Sequence, residues 1–555
     1  MEKVRLVVIG GVAAGTKAAS KARREHPDWE VLVITRDKDI SYAGCGLPYF
    51  LSGVIKERKE LVVRGPQEFL DDQNIIVLTQ SEALSIDPTQ KKLTFRELAT
   101  NQIHTISYDH LVLATGASPV LPPLPGIELG NIYPLRTIEN AEDIRSLLDK
   151  GAVKEAVVVG AGFVGLEAAE NLALKGIRVT VVEMAPLVLP GYDEEMSQYV
   201  RNYLEEKGME IRTGARVRGF TGNLDGKVCE VQLENEAIPA QLVIWAGGVK
   251  PNVALACASG LKLGPTGAIA VNEYQESSIQ GIYAVGDCAE NTHLITGDGV
   301  WCPMGSTSNK TGRIAGLNIG RQDQVDALPG VLGTSVIKLF ELHAGRTGLT
   351  EEQAKAKGYN VVSTIVPAND KAHYYPGYQQ IITKLIADRT SGRVLGVQVV
   401  GEGVVDKPVD IVATLISLGG NLEQLSRLDL AYAPPFSMAI SSTILAAHVL
   451  RNKIQGKFVG VNPGELGVIL AKGDAVILDV RTEAENFIRA IPGSLNIPFN
   501  ELVLRYQEIP QNKKLIVVCK VGKRAYLTLD KLRSLGFTDL AILEGGLEAY
   551  PYEVI

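Results

Sequence analysis

The sequence has no two cysteines close enough along the chain to form a local dithiol. Its six cysteines (Cys45, Cys229, Cys257, Cys288, Cys302 and Cys519) are scattered, with neither a C-x-x-C motif nor a zinc-type spacing. This is the usage of a reducing compartment, not of a disulfide framework, and no metal site is expected. No basic block is present, and the net charge of −7 argues against a nucleic-acid partner. No apolar run reaches the roughly 20 residues of a membrane helix. A strand begins almost at once, at Val4 to Ile9, so no signal peptide is expected. The chain is expected to be cytoplasmic, without membrane or nucleic-acid contacts.

What remains is an ordinary globular composition, 46% apolar and 21% charged, in 555 residues. That length is too great for one core and suggests three or four domains. The most useful internal similarity lies between residues 4–35 and 155–183. Each reads as an apolar strand, a glycine-rich turn, a helix of small residues and a second apolar strand. The first turn carries Gly10 and Gly15, and the second carries Gly160, Gly162 and Gly165. Glycine serves there because the chain turns tightly, approaches a pyrophosphate and packs helix against strand, so two such units imply two dinucleotides. The second unit is complete: Glu183 ends its second strand, placed for a ribose 2′-hydroxyl. No arginine follows in Met184-Ala185-Pro186 to hold a 2′-phosphate, which favours NADH over NADPH. The first unit has Val12 at the middle glycine position and Thr35 at the acid position.

Two further strands end in turns that suit a split flavin domain around the inserted second unit. One runs from Tyr108 into Thr115-Gly116; the other runs from Ile282 into Gly286-Asp287, where the acid can meet a ribityl hydroxyl. Taken alone, Asp287 reads equally well as a helix cap. Residues from about 326 to 450 change character, with β-rich runs at 334–340, 380–387 and 394–400 and helical stretches at 407–419 and 437–452. Residues 451–463 read as a linker, and strands alternating with helices follow to the end, a small α/β domain.

Two cysteines carry the chemistry. Cys45 stands alone in Ser41-Tyr-Ala-Gly-Cys-Gly-Leu-Pro-Tyr49, just beyond the first dinucleotide unit. A single thiol beside a flavin must work with an external thiol or an oxidised sulfur. Cys519 ends an apolar strand and opens the turn into a helix expected over 525–535. There the backbone N–H groups and the helix N-terminus favour a nucleophilic sulfur. Its C-x4-R spacing to Arg524 is one residue shorter than the C-x5-R loop that cradles phosphate, a size suited to one persulfide sulfur. A buried strand-end cysteine is the plainer reading, against which Lys520, Lys523 and Arg524 weigh.

Residues 1 to about 450 resemble the coenzyme A disulfide reductase and NADH-dependent persulfide reductase branch of the flavin disulfide reductases. From about 460 onward the chain is similar to a rhodanese domain, through Leu478-Asp-Val-Arg481 and the Cys519 loop. The resemblance implies an α/β fold. It comprises two Rossmann-like dinucleotide-binding domains (FAD and NAD), an α+β dimerisation domain and a C-terminal α/β rhodanese domain. The expected boundaries are 1–147 with 266–325 for FAD, 148–265 for NAD(P)H, 326–450 for the interface and 464–555 for rhodanese. Cys45 matches the family's redox cysteine, and Gly247-Gly248-Val-Lys-Pro-Asn252 its turn after the NAD domain. Tyr374 and Tyr432 match two tyrosines that enter the partner subunit's active site, implying a homodimer with shared sites. Ser41 and Arg24 match substrate contacts, and Lys21 joins Arg24 on one helix face, where coenzyme A phosphates are a further expected ligand. Ala13 replaces the histidine of related oxidases and peroxidases. Gly44 replaces an asparagine and Ile440 a lysine that contact coenzyme A in the family.

The resemblance implies an NADH-dependent, FAD-containing persulfide or polysulfide reductase working through Cys45, with Cys519 and Arg524 handling sulfane sulfur. Two alternatives stand beside it: a coenzyme A disulfide reductase, and a redox or sulfur sensor of low turnover.

Overall fold

Runs rich in valine and isoleucine become the central strands of parallel sheets, buried on both faces, where β-branched side chains pack best. The computed structural model describes residues 3–323 and 325–555. The chain divides into two bodies: residues through Met184 with Ala215–Val331, and Ala185–Gly214 with Leu332–Ile555.

The first body holds two parallel sheets. Strands β1 (Arg5–Ile9), β2 (Glu30–Ile34), β3 (Ile75–Leu78), β4 (His110–Leu113) and, late in the chain, Ile282–Ala284 form the first. β1 is central, and helix α1 (Ala13–Glu25) follows it. In the second sheet β5 (Glu155–Val159) lies between Arg178–Val182 and Leu242–Trp245, and is followed by helix α2 (Phe163–Ala173). Both strand–helix turns are sterically fixed. A methyl group on Gly15 would sit 1.9 Å from the Gly10 carbonyl oxygen, and one on Gly165 would sit 2.0 Å from that of Gly160. Only glycine lets each helix start directly over the strand end.

In the second body an antiparallel sheet of five strands spans residues 335–401, and its central strand is Val394–Gly401. Two of its strands escape the sequence reading. Leu342–Gly348 is rich in glycine and polar residues, and Val361–Asn369 contains Pro367, which is tolerated because that strand lies at the sheet edge. The C-terminal parallel sheet is centred on Lys514–Val518 and Ala475–Asp479. The expected linker 451–463 is largely structured. Helix Ser442–Ile454 runs into it, and Gly460–Val461 joins the C-terminal sheet beside Leu540–Leu543, leaving a connection of 455–459. Apolar burial of Phe458 and Val461 closes what the polar sequence left open.

A buried ion cluster organises this body. Lys384 is 1% exposed, and its ammonium meets Glu195 at 2.6 Å, Glu351 at 3.0 Å and Asp193 at 3.1 Å. Gln398 donates to Asp193 at 2.6 Å, Asn462 to Glu195 at 3.0 Å and Ser363 to Glu351 at 2.7 Å. Burial works against ionisation of Glu351, but Lys384, Lys355 and Ser363 outweigh it and hold its pKa down at about 2. Such a depressed carboxyl contributes stability above its ordinary value of 4.5, lost as pH falls towards about 2. Lys384→Met should leave three carboxylates facing one another. A loss of about 3–5 kcal/mol, or roughly 10 °C in the melting midpoint of this body, is expected by differential scanning calorimetry. An unchanged midpoint would show the cluster to be dispensable.

Candidate active site

Cys45 lies in a one-turn 3-10 helix, Gly44–Gly46, that runs directly into helix Leu47–Ser52. Backbone bonds fix the turn: the Ala43 N–H donates to the Leu61 carbonyl at 2.8 Å and the Gly46 N–H to that of Ala43 at 2.9 Å. The Cβ position of Gly305 is 4.0 Å from Cys45 Sγ, which puts the sulfur at the start of helix α3 (Gly305–Asn318). That helix has no side-chain cap and no acidic residue in its first turn, so its free N–H groups favour an anionic sulfur. Other influences oppose them. Burial pushes the Cys45 thiol up, and the carboxylates of Glu167 and Asp287 push it further.

Glu167 is the residue that sequence reading missed. It projects from α2, the helix after the second glycine turn, and accepts the Tyr49 hydroxyl at 3.3 Å. Burial pushes its pKa up to about 7, although the Tyr49 hydrogen bond works the other way. Ser52 donates to Asn171 at 2.5 Å one turn further along both helices. The signal was weak because a glutamate within a dinucleotide helix reads as a solvated position. Asp287 accepts the Ser308 hydroxyl at 2.9 Å, so it is bound by α3 and does not cap a following helix.

The two glycine turns each join a parallel strand to a helix, as their sequence pattern implies. Val12 and Gly162, at the starts of α1 and α2, make no side-chain cap bonds, leaving N–H groups free for a pyrophosphate. A methyl on Gly162 would meet nothing within 4 Å, and its φ of −79° is ordinary, so neither packing nor backbone requires glycine there. The open space there would admit a close phosphate. Glu183 accepts the Ala161 N–H at 2.7 Å, holding its carboxylate against the same turn. Thr115 and Asn252 exchange hydrogen bonds at 2.7 and 2.8 Å beside Gly116, and the Gly286 N–H donates to Thr311 at 3.0 Å. Gly248 has a φ of +107°. Together these residues fit two dinucleotides, one at each turn.

Ser41 is held in a left-handed conformation, φ 47°, by its N–H bond to the Gly11 carbonyl. Arg24 is exposed, whereas Lys21 is paired with Glu25, which also binds Arg321 at 2.5 Å.

Within the second body, Tyr374 is 65% exposed and its hydroxyl lies 3.4 Å from that of Tyr432. Cys519 ends strand Lys514–Val518, and its Sγ accepts the N–H groups of Gly522 at 3.2 Å and Ala525 at 3.3 Å. Helix Lys523–Ser534 begins at that loop. Among the described residues no cluster of His, Cys, Asp or Glu is arranged for a metal ion, and no helix is long and apolar enough to cross a membrane.

Comparison with known proteins follows this geometry. The pyridine nucleotide-disulphide oxidoreductase family model matches residues 4–305, its dimerisation domain 334–444, and the rhodanese-like domain 462–551. The chain belongs to the pyridine nucleotide-disulphide oxidoreductase family. A NAD-dependent persulfide reductase from A. fulgidus is 42% identical, with a TM-score of 0.93 over 99% of this chain and 100% of that one. Reduced Bacillus anthracis CoADR-RHD is 34% identical, also with a TM-score of 0.93, over 99% and 98%. A protein named NADH oxidase from Methanocaldococcus jannaschii is 36% identical over 82% of this chain and all of its own length. Membership brings FAD and NAD(P)H as cofactors, and the separate match at 462–551 adds a rhodanese-like domain.

Glu167→Gln should lower the Cys45 pKa, because it removes a carboxylate that penalises the thiolate. The rate of Cys45 alkylation by iodoacetamide should rise about threefold to tenfold near pH 8.5, where Glu167 is ionised, and only about twofold near pH 7, where about half of it is already neutral. A pH profile identical to the parent's would sink the electrostatic link.

Proposed function

We propose that this chain is an NADH-dependent, FAD-containing persulfide or polysulfide reductase acting through Cys45, with sulfane sulfur handled at Cys519. The observation that carries the reading is a solitary free thiol, Cys45, at the start of α3 in the same chain as a second sulfur-binding loop. The persulfide reductase and CoADR-RHD relatives match this chain over 99% of its length, so the match spans both parts.

In this reading Gly10, Gly15, Thr115, Gly116, Gly286 and Asp287 hold FAD, while Gly160, Gly162, Gly165, Glu183 and Gly248 hold the nicotinamide nucleotide. The bound cofactors supply the electron pair. The Cys45 thiolate attacks the inner sulfur of a persulfide R–S–SH, the S–S bond breaks, hydrosulfide leaves, and Cys45 is left in a disulfide with R–S. Two electrons and one proton then restore the thiolate and release R–SH. Tyr374 and Tyr432 of a partner subunit are the candidate proton donors for the leaving sulfur. A phenol is protonated at neutral pH, and the neighbouring Tyr432 hydroxyl pushes that of Tyr374 further up. Their exposure suits a surface that a second copy covers, consistent with the dimerisation domain. Location in the cytoplasm fits six unpaired cysteines.

Reduction of coenzyme A disulfide is the second reading, favoured by the CoADR-RHD relative and the exposed Arg24. Against it, Lys21 reaches a phosphate only by leaving Glu25. The ratio of kcat/KM for coenzyme A disulfide and for a small persulfide decides between them. NADH oxidation by oxygen lacks an acid–base group at Ala13. Rapid multiple turnovers with NADH would exclude the sensor alternative.

Cys45→Ser should retain FAD and its reduction by NADH but lose persulfide reduction by at least about 100-fold, since nucleotide binding does not use the thiol. Sulfur turnover close to the parent's would remove Cys45 from the mechanism. NADH should be preferred to NADPH, because the Glu183 carboxylate faces any 2′-phosphate. Glu183→Ala should narrow the ratio of specificity constants by about tenfold; parity in the parent would refute the assignment.

A further inference from the structure

The Cys519 loop carries three cations within five residues, Lys520, Lys523 and Arg524, and the first two are exposed. Arg524 differs from them. Its two terminal nitrogens donate to the two carboxylate oxygens of Glu485 at 2.6 and 2.8 Å, a planar fork on a planar acceptor. Glu485 is itself fixed by local bonds: it accepts the Thr482 N–H at 3.1 Å and the Thr482 hydroxyl at 3.0 Å. Thr482 in turn accepts the Glu485 N–H at 3.2 Å, the reciprocal cap of helix Glu483–Ile488. This pair is therefore built in, unlike a chance contact of two long side chains. Arg481, two residues beyond the end of strand Ala475–Asp479, is neutralised in the same way. Its guanidinium binds Asp479 at 2.6 and 3.0 Å in a buried pair. Arg524, whose charge acts on Cys519, and Arg481 are thus both committed to carboxylates.

We propose that Glu485 is a specificity-determining residue: by occupying Arg524, it makes the Cys519 loop take neutral or singly charged organic persulfides in preference to the thiosulfate dianion. The inference rests on the assignment of Cys519 as the sulfane-sulfur site. Both donors share one step. With a persulfide, the Cys519 thiolate attacks the outer sulfur of R–S–SH, the S–S bond breaks, R–S⁻ leaves and Cys519 carries –S–SH. With thiosulfate, the same attack expels sulfite, SO3²⁻, and leaves Cys519–S–S⁻. The two differ in the leaving group: sulfite carries two charges, and only a free guanidinium answers them in a fork geometry. With Glu485 in place, a dianion meets a carboxylate as well as the arginine, and discrimination comes from that repulsion.

The experiment uses the full-length protein and reads persulfide formation on Cys519 by peptide-resolved mass spectrometry after alkylation. Cysteine persulfide and thiosulfate are supplied separately as donors. Glu485→Gln keeps an acceptor for the Thr482 cap but removes the charge. Its thiosulfate rate, relative to its persulfide rate, should rise about threefold to tenfold over the parent, and the gain should shrink with added salt. Glu485→Asp, which keeps the charge, should hold the ratio near the parent's. An unchanged ratio in Glu485→Gln, or an equal change for both donors, overturns the role of Glu485 and leaves the Cys519 assignment standing. If the parent takes sulfur from neither donor at Cys519, that assignment falls and the inference falls with it.

Discussion

Backbone contact at two glycine turns is the constraint from which the first body follows. Because Gly15 and Gly165 carry no side chain, α1 and α2 begin directly over the carbonyl oxygens of Gly10 and Gly160. The unpaired N–H groups of each helix then point out of the strand ends, where a pyrophosphate can accept them. The same placement sets the direction of α2, and with it the side of the helix on which Glu167 meets Tyr49 and influences Cys45. Replacing either glycine would therefore displace more than a ligand contact: the helix would have to lift, and the groups beside the redox sulfur would move with it.

The second body rests on buried charge instead of close backbone approach. Lys384 gathers Asp193 and Glu195 from one segment and Glu351 from another far along the chain, and every carboxylate in the group has a further hydrogen-bond donor. A second buried acid, Glu544, follows the last strand of the C-terminal sheet. It is paired with Lys453 and accepts the Ile365 N–H at 3.2 Å. Removing ions from water is costly, so such groups contribute more to geometry than to net stability. Here they join the 185–214 segment, the antiparallel sheet and the rhodanese-like region into one body, which explains why the expected linker shrinks to 455–459.

Much of this architecture was legible because it depends on local signals. Glycines between apolar strands announced both dinucleotide turns, and the Cys519 loop was readable from its strand, its spacing and its basic residues. The missed strands failed for local reasons too, since Gly345 and Pro367 weaken the alternation a strand needs. What stayed hidden was tertiary. Nothing in the sequence pairs Lys384 with Asp193, Glu485 with Arg524, or Glu167 with Tyr49, because each partner reads alone as a solvated charge. Lys21 shows the same limit in reverse: helical spacing put it beside Arg24, but its i+4 neighbour Glu25 takes its charge.

The two sulfur sites differ most in their surrounding charge. Around Cys45 the named side-chain charges, Glu167 and Asp287, are negative, and the favourable influence comes from the uncharged N–H groups of α3. Around Cys519 the side chains are mainly cationic, with carboxylates placed against the two arginines and the sulfur bonded by two backbone N–H groups. Backbone donors stabilise an anionic sulfur at both sites without attracting bulk anions, since a helix terminus acts only at short range. On the proposed assignments, side-chain charge then sorts the substrates. The two carboxylates near Cys45, Glu167 only when ionised, disfavour multiply charged donors, while a loop with exposed lysines attracts anions and leaves the paired arginine to limit which are accepted. In that reading one sulfur chemistry is run twice in one chain, under two electrostatic rules.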